Sequence, residues 1–278
     1  MLTAKKSAAT KPSVARAQGP PNSVVIIRSG LLARPRRSLI QAHPVSGPLR
    51  YIALIPAAGV GARMGGSDLP KQYMSLGART MLEHSIDALL ADGRIDRIFV
   101  VVAPSDTRWQ ALEVDEERVE FLPVGGDSRA ESVRNGLIAI AARTNDDDRV
   151  LVHDAARPCL TEGQLGRLID EVGSDDGGGL LAVPLADTLK RGEDGRVGIT
   201  LERTDLWCAQ TPQLFRVASL RAALSQGSLD AITDEASAME RTGHAPRLVL
   251  GGAGNLKVTT AEDMVLARAI LGEQGRLG

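Results

Sequence analysis

From Tyr51 onward, short runs of Val, Ile, Leu and Ala alternate with stretches whose apolar residues return every three or four positions. The short runs predict strands at Ile52–Pro56, Arg97–Ala103, Val119–Pro123, Val150–His153, Leu180–Pro184, Trp207–Gln210 and Arg247–Leu250. The longer spacing predicts helices between them. Met81, Leu82, Ser85, Ile86, Leu89 and Leu90 share one helical face, and Asp92-Gly93 supplies a stop signal. Ser128 and Glu131 have capping-box spacing ahead of Val133, Leu137 and Ile140, and Thr161 with Gln164 repeats the device. Strand alternating with helix predicts an α/β fold, a mostly parallel, twisted sheet with helices on both faces.

One segment breaks the rhythm. Residues 185–206 read as two polar strands joined by a turn around Glu193, Asp194 and Gly195, a protruding β-arm. So little apolar surface does not stabilise a lone hairpin, so the arm is expected to lean on another chain; a loose surface hairpin is the alternative.

Residues 1–50 show no sustained period and hold nine Lys or Arg with no Asp or Glu. They read as a mostly disordered basic extension ahead of a domain at 51–278. A dispensable tail or upstream start, an organelle-targeting segment and an interaction arm all fit that composition. The whole chain has a net charge of −1; subtracting the nine from 33 basic residues leaves 24 against 34 acidic, a net of −10 for the remainder. Such an acidic body is a poor nucleic-acid binder, so any cationic site must be local. No apolar run approaches the roughly 20 residues that span a bilayer, so no membrane association is expected. Cys159 and Cys208 are the only cysteines and lack metal-site spacing. A reduced, cytoplasmic compartment follows as the expectation, or a plastid if residues 1–50 are a transit peptide.

The chemistry concentrates where strands end. Ile52–Pro56 runs into a loop with Gly59, Gly61, Gly65 and Gly66, closed by Pro70, Lys71 and Gln72. Glycines let a backbone turn sharply and aim several N–H groups at one anion, and Arg63 and Lys71 add charge. The spacing misses the dinucleotide fingerprint by one residue, and Gln72 stands where a Walker loop needs Ser or Thr. A triphosphate cradle of a nucleotidyltransferase fits better. His153-Asp-Ala-Ala-Arg-Pro158 follows an apolar strand, placing Asp154 to orient a ribose, a metal ion or a polyol. In Gly125-Gly-Asp-Ser-Arg-Ala-Glu-Ser132, the glycines let a flat base approach the backbone, with Asp127 and Ser132 beside a helix N-terminus. Thr188, Arg203, Thr211 and Lys257 stand at the margins of predicted strands.

Together these segments, with Gln210-Thr-Pro-Gln213, Thr233-Asp-Glu-Ala236 and Lys257-Val-Thr259, resemble the 2-C-methyl-D-erythritol 4-phosphate cytidylyltransferase family over residues 51 to about 272. The resemblance implies a Rossmann-like nucleotidyltransferase fold and a homodimer with exchanged arms. It implies a transferase that joins CTP to methylerythritol phosphate with Mg²⁺, releasing pyrophosphate in the non-mevalonate isoprenoid pathway. Carried over by position, Arg63 and Lys71 stabilise the triphosphate and the charge at its α-phosphorus. Ala57, Ala58, Gly126, Asp127 and Ser132 hold cytosine, while Gly59, Asp154 and Ala155 line the ribose. Lys257 and Asp154 face the methylerythritol moiety, joined by Arg157, Thr188, Arg203 and Thr211 from the partner subunit. No protein metal cage is implied, Mg²⁺ being carried mainly by the CTP phosphates. The two substrates bring about six negative charges, which repel unless cations intervene. The stretch from Arg63 to Lys71 is one residue longer than in the family, an insertion of the kind exposed loop tips tolerate.

A ribitol 5-phosphate cytidylyltransferase would share the cradle. Ala156 and the Pro56-Ala-Ala-Gly59 start lean towards methylerythritol phosphate. A silent nucleotide binder would not need this set of cations, and an NAD-linked oxidoreductase wants an acidic ribose anchor that Glu83, inside a predicted helix, does not supply.

Overall fold

The computed structural model describes residues 49–59 and 69–278. The expected basic extension up to residue 48, and the loop segment 60–68 that carries Arg63, lie outside the described residues. Arg50 already belongs to the folded body: its carbonyl accepts from Arg149 N–H at 2.9 Å and its guanidinium meets Asp148 at 2.6 Å.

Eleven strands and six helices follow one another among the described residues. They begin with β1 (Tyr51–Pro56), the two-residue strands β2 (Ser75–Leu76) and β3 (Arg79–Thr80), α1 (Met81–Leu90), β4 (Ile95–Val101) and β5 (Val119–Leu122). Then come α2 (Arg129–Ala139), β6 (Arg149–Val152), α3 (Glu162–Val172), β7 (Gly179–Pro184), β8 (Leu189–Glu193) and β9 (Arg196–Leu201). The chain closes with β10 (Trp207–Arg216), α4 (Val217–Leu224), α5 (Glu235–Arg241), β11 (Arg247–Leu250) and α6 (Ala261–Glu273).

Seven strands form one sheet in the order β11-β7-β10-β6-β1-β4-β5. Every pairing is parallel except those of β10, which runs against both β6 and β7. Because both faces are covered, β1 is apolar throughout rather than alternating. Ala53 and Ile55 pack with α1 and α3 through Leu82, Ile86, Leu165 and Leu168. Ile52 and Leu54 pack on the opposite face with Val133, Leu137, Leu220 and Met239 from α2, α4 and α5. At Gly136 a Cβ would collide with Val101 and Leu54, so the missing side chain lets α2 lie close on the sheet.

Local signals hold where their partners are near in sequence. Thr161 and Gln164 form both halves of the expected capping box. At α2 only half forms: the Ser128 hydroxyl accepts from Glu131 N–H at 3.1 Å, but the Glu131 carboxylate takes Asp127 N–H at 2.9 Å instead of its own cap. The expected strand at Trp207–Gln210 continues to Arg216 after a register break between Ala209 and Gln213. Pro212 lacks an N–H and hides that continuation from a reading of the sequence. The arm is two-stranded, β8 against β9, and pairs with no strand of the main sheet. Asp194 and Gly195, with φ of 48° and 76°, make its two-residue turn, the positive-φ pair that tight hairpins require. No described helix is long and apolar enough to cross a membrane.

Candidate active site

Connections leave β1 towards β4 and β6 towards β7, so the chain winds outward in opposite directions from the centre of the sheet. Such a switch point leaves a crevice beyond the strand C-termini. A cavity of about 490 Å³ opens there, within the range of small-molecule sites.

Ala57, Ala58 and Gly59, leaving β1, make its first wall. Gln72 pins them, its Nε2 donating to the carbonyls of Ala57 at 2.8 Å and Gly59 at 3.1 Å. Gly126, Asp127 and Ser132 make the second wall, at the start of α2. The two glycines have a packing role as well. A Cβ on Gly125 would meet Ala58 and one on Gly126 would meet Glu131, so both glycines are also needed for packing within the protein, while their backbones still line the cavity. The Ser132 hydroxyl accepts from Gly126 N–H at 3.1 Å and donates to the Ser128 carbonyl at 2.9 Å, which fixes the loop that carries Asp127.

Asp154 and Ala155, just past β6, form the floor, and Lys71, Lys257 and Arg129 bring cations to the lining. Lys257 Nζ lies 2.7 Å from Asp154 Oδ2. Lys71 Nζ donates to the carbonyl of Val258, the next residue, at 3.0 Å. Both ammonium groups are thereby brought to the same segment of chain. Arg129 Nε donates to the other Asp154 oxygen at 2.8 Å. Burial alone would raise the Asp154 pKa, but Arg129 and Lys257 outweigh it and hold the carboxyl well below the usual carboxylate range. Asp154 is therefore held in its anionic form at neutral pH by these two cations.

Thr211 and Arg157, which the resemblance assigns to a partner subunit's share of the acceptor side, touch Asp154 of their own chain and do not themselves line the cavity. The buried Thr211 hydroxyl accepts from Asp154 N–H at 3.0 Å. Arg157 donates to the carbonyls of Asn255 at 2.6 Å and Ala209 at 3.3 Å, its Nε standing 4.0 Å from Asp154. Thr188 and Arg203 flank the arm, are exposed, and do not line the cavity. Arg63 lies outside the described residues. Arg129 and Glu235 are the residues that sequence reasoning missed. Each stood inside a quoted motif, but the two are 106 positions apart and nothing local joins them.

His153 sits under the floor, fully buried, between Arg157 and Thr211. Its Nε2 is 3.1 Å from the Arg157 carbonyl, which can only accept, so Nε2 carries the proton. Its Nδ1, 3.1 Å from the Thr211 hydroxyl, then accepts. The hydrogen bonds run one way, from Asp154 N–H through Thr211 to His153 and on to Arg157. Burial drives the imidazole pKa from 6.5 down to about 4. The unfolded chain therefore takes the proton first as pH falls, so stability present in full above about 6.5 is lost progressively towards 4. On the order of 3 kcal/mol is involved. Urea unfolding between pH 7 and 4.5 should show this slope and His153→Asn should flatten it; an equal slope in the variant would remove the assignment.

A divalent cation would find little free carboxylate here. No group of three or more His, Cys, Asp or Glu side chains is placed to hold a metal among the described residues. Both Asp154 oxygens are committed to Arg129 and Lys257, and Asp127 is the other carboxylate on the cavity wall.

The sequence matches the family model described as IspD, 2-C-methyl-D-erythritol 4-phosphate cytidylyltransferase, over residues 51–273. A protein of that name from Laribacter hongkongensis is 53% identical over 225 residues, covering 80% of this chain and 96% of the relative. Another from Thiobacillus denitrificans is 51% identical over 232 residues, covering 81% and 99%. Among solved structures, a 4-diphosphocytidyl-2C-methyl-D-erythritol synthase superposes with a TM-score of 0.72 at 42% identity, covering 80% of this chain and 99% of that one. The Francisella tularensis 2-C-methyl-D-erythritol 4-phosphate cytidylyltransferase gives 0.70 at 34%, covering 80% and 100%.

Proposed function

The chain belongs to the 2-C-methyl-D-erythritol 4-phosphate cytidylyltransferase family, and from that premise we propose how its cavity carries out the family's reaction. It transfers the cytidylyl group of CTP to 2-C-methyl-D-erythritol 4-phosphate, giving 4-diphosphocytidyl-2-C-methyl-D-erythritol and pyrophosphate in the non-mevalonate pathway. A phosphate oxygen of the acceptor forms a bond to the α-phosphorus of CTP. The bond from that phosphorus to the bridging oxygen breaks, and the electron pair leaves with pyrophosphate.

The observation that carries this reading is the convergence of Lys71 and Lys257 on one cavity wall, above a carboxylate that holds the second of them. Ala57, Ala58, Gly126, Asp127 and Ser132 take the cytosine end, Gly59 and Ala155 the ribose, and Asp154 stands between the ribose and the acceptor beside Lys257. Lys71, with Arg63, neutralises the triphosphate and the charge growing at the α-phosphorus. Lys257 screens the acceptor phosphate, whose approach to a triphosphate is otherwise repulsive. Mg²⁺, bound through the CTP phosphates, supplies further neutralisation of their charge. No covalent enzyme intermediate is needed; the residues position two anions and stabilise charge.

The test is pyrophosphate release with CTP and Mg²⁺, with methylerythritol phosphate and ribitol 5-phosphate offered in parallel. Turnover with the first alone is expected. Turnover only with the second would move the acceptor assignment, and release with neither would sink the reaction.

The arm adds a second subunit to this reading. Val197 and Ile199 are exposed on β9 and the arm rests on no other strand of the sheet, as in a hairpin built to lie on a second copy. Thr188 and Arg203 of the partner subunit would then complete the acceptor side of each cavity. Mixing inactive Arg203→Ala and Lys257→Ala proteins should restore activity through hybrid dimers that carry one intact site. No recovery after exchange of subunits is shown by mass spectrometry would place both residues in one chain's site.

A further inference from the structure

Glu235 is 1% exposed and opens α5, on the face of the sheet opposite α1 and α3. A buried carboxylate is costly unless its oxygens are met by strong donors. Both are met by one side chain: Arg129 donates from Nη1 to Oε1 at 2.7 Å and from Nη2 to Oε2 at 3.0 Å. Such a two-pronged pair fixes the plane of a guanidinium as well as its place. The third Arg129 nitrogen, Nε, then has one direction left, and it points to Asp154 Oδ1 at 2.8 Å. The remaining Asp154 oxygen holds Lys257 at 2.7 Å. Four charges of alternating sign, Glu235, Arg129, Asp154 and Lys257, thus run in line from the core to the cavity wall.

The inner end of the line is itself held. Gln213 of β10 donates to Asp234 at 2.9 Å and accepts from Ala236 N–H at 2.8 Å, gripping the residues on either side of Glu235. Arg129, Asp154 and Lys257 line the cavity whereas Glu235 does not, so Glu235 has no route to a ligand except through Arg129.

We propose that Glu235 is a positioning residue for the transfer reaction, orienting Arg129 so that the Asp154 carboxylate holds the Lys257 ammonium in place for the acceptor phosphate. The inference rests on the reading of Lys257 and Asp154 as the acceptor side of the site. It explains why a strand-end motif, a helix start and the Thr233–Ala236 segment occur together in one chain although the last of them does not line this cavity.

Glu235→Gln keeps the shape but leaves Arg129 without its second anionic oxygen. It should lower kcat/KM for methylerythritol phosphate about tenfold or more, with KM for CTP within about twofold of the wild type. Arg129→Lys keeps the charge opposite Glu235 but loses the fork, and should give the same split even if Glu235→Gln folds poorly. The double variant should be no worse than the poorer single one, since both changes break the same link. A readout independent of turnover is the ¹⁵N resonance of Arg129 Nε–H, which should exchange slowly with water in the wild type and be lost to exchange in Glu235→Gln. Equal losses for both substrates that multiply in the double variant, or wild-type kinetics in Glu235→Gln, would overturn the inference. If the wild type itself turns over no acceptor, the functional reading fails, and persistence of the resonance in Glu235→Gln still decides the positioning role against us.

Discussion

Replacement of Lys71 by alanine is expected to lower kcat by about 10²–10³-fold while KM for CTP changes by no more than about threefold. The ammonium group is not simply another charge beside the triphosphate. It donates to the Val258 carbonyl at 3.0 Å, and Val258 N–H in turn donates to the Ala156 carbonyl at 2.8 Å, so Lys71 is tied to the floor of the cavity. A cation held in place costs no reorganisation when charge develops at the α-phosphorus, and acts most strongly there. In the ground state water, neighbouring donors and a metal ion carried by CTP would share the same negative charge, so the loss of one cation is felt less. Removing the side chain also leaves the Val258 carbonyl short of a donor, a stability cost of about 1 kcal/mol. Steady-state kinetics with both substrates varied, beside a thermal melt, separate these effects. A raised KM with unchanged kcat would mean that Lys71 serves binding alone.

Asp154→Asn is the second large effect, and it should strike both stability and acceptor handling. The carboxylate is buried and joins Arg129 to Lys257. An amide offers only one acceptor, and its NH₂ group turns a donor towards one of the two cations. Breaking a buried ion pair from one side costs about 3 kcal/mol. Lys257, whose side chain is 42% exposed, is then free to leave the cavity wall. We expect kcat/KM for methylerythritol phosphate to fall about 100-fold, with a much smaller change in KM for CTP. The stability difference has a definite pH sign. The folded pKa of Asp154 is depressed, so its contribution is present above the unfolded pKa of about 4 and is lost as pH falls below it. Wild type and variant should therefore differ most at neutral pH and converge in acid. A constant difference across that range, or a variant as stable as the wild type at pH 7, would show that the two cations do not depend on this carboxylate.

Much of this architecture is legible without coordinates. The apolar blocks at Ile52–Ile55 and Val150–Val152 are strands because both faces of a parallel sheet are covered, and Asp194-Gly195 is a hairpin turn because its two positions need positive φ. Asp154, Lys71 and Lys257 stand out as charged residues beside strand ends and loops. Other features were misread or invisible for one shared reason. Gly125 is glycine because Ala58 approaches it, a fact that belongs to a loop 67 positions earlier. Thr211 meets Asp154 within the chain because the antiparallel strand β10 lies directly against β6. Pro212 concealed that strand's continuation.

Period, turns and the Thr161 cap were settled by the sequence itself, because each depends on residues within about four positions of one another and on the backbone's own steric limits. The pairing of Arg129 with Glu235 across 106 residues, the sharing of Asp154 between two cations and the neutral state of His153 were decided only by the tertiary structure. Those properties depend on which strand ends the sheet order brings together and on how completely packing removes water around them, and neither quantity is carried by any short stretch of chain.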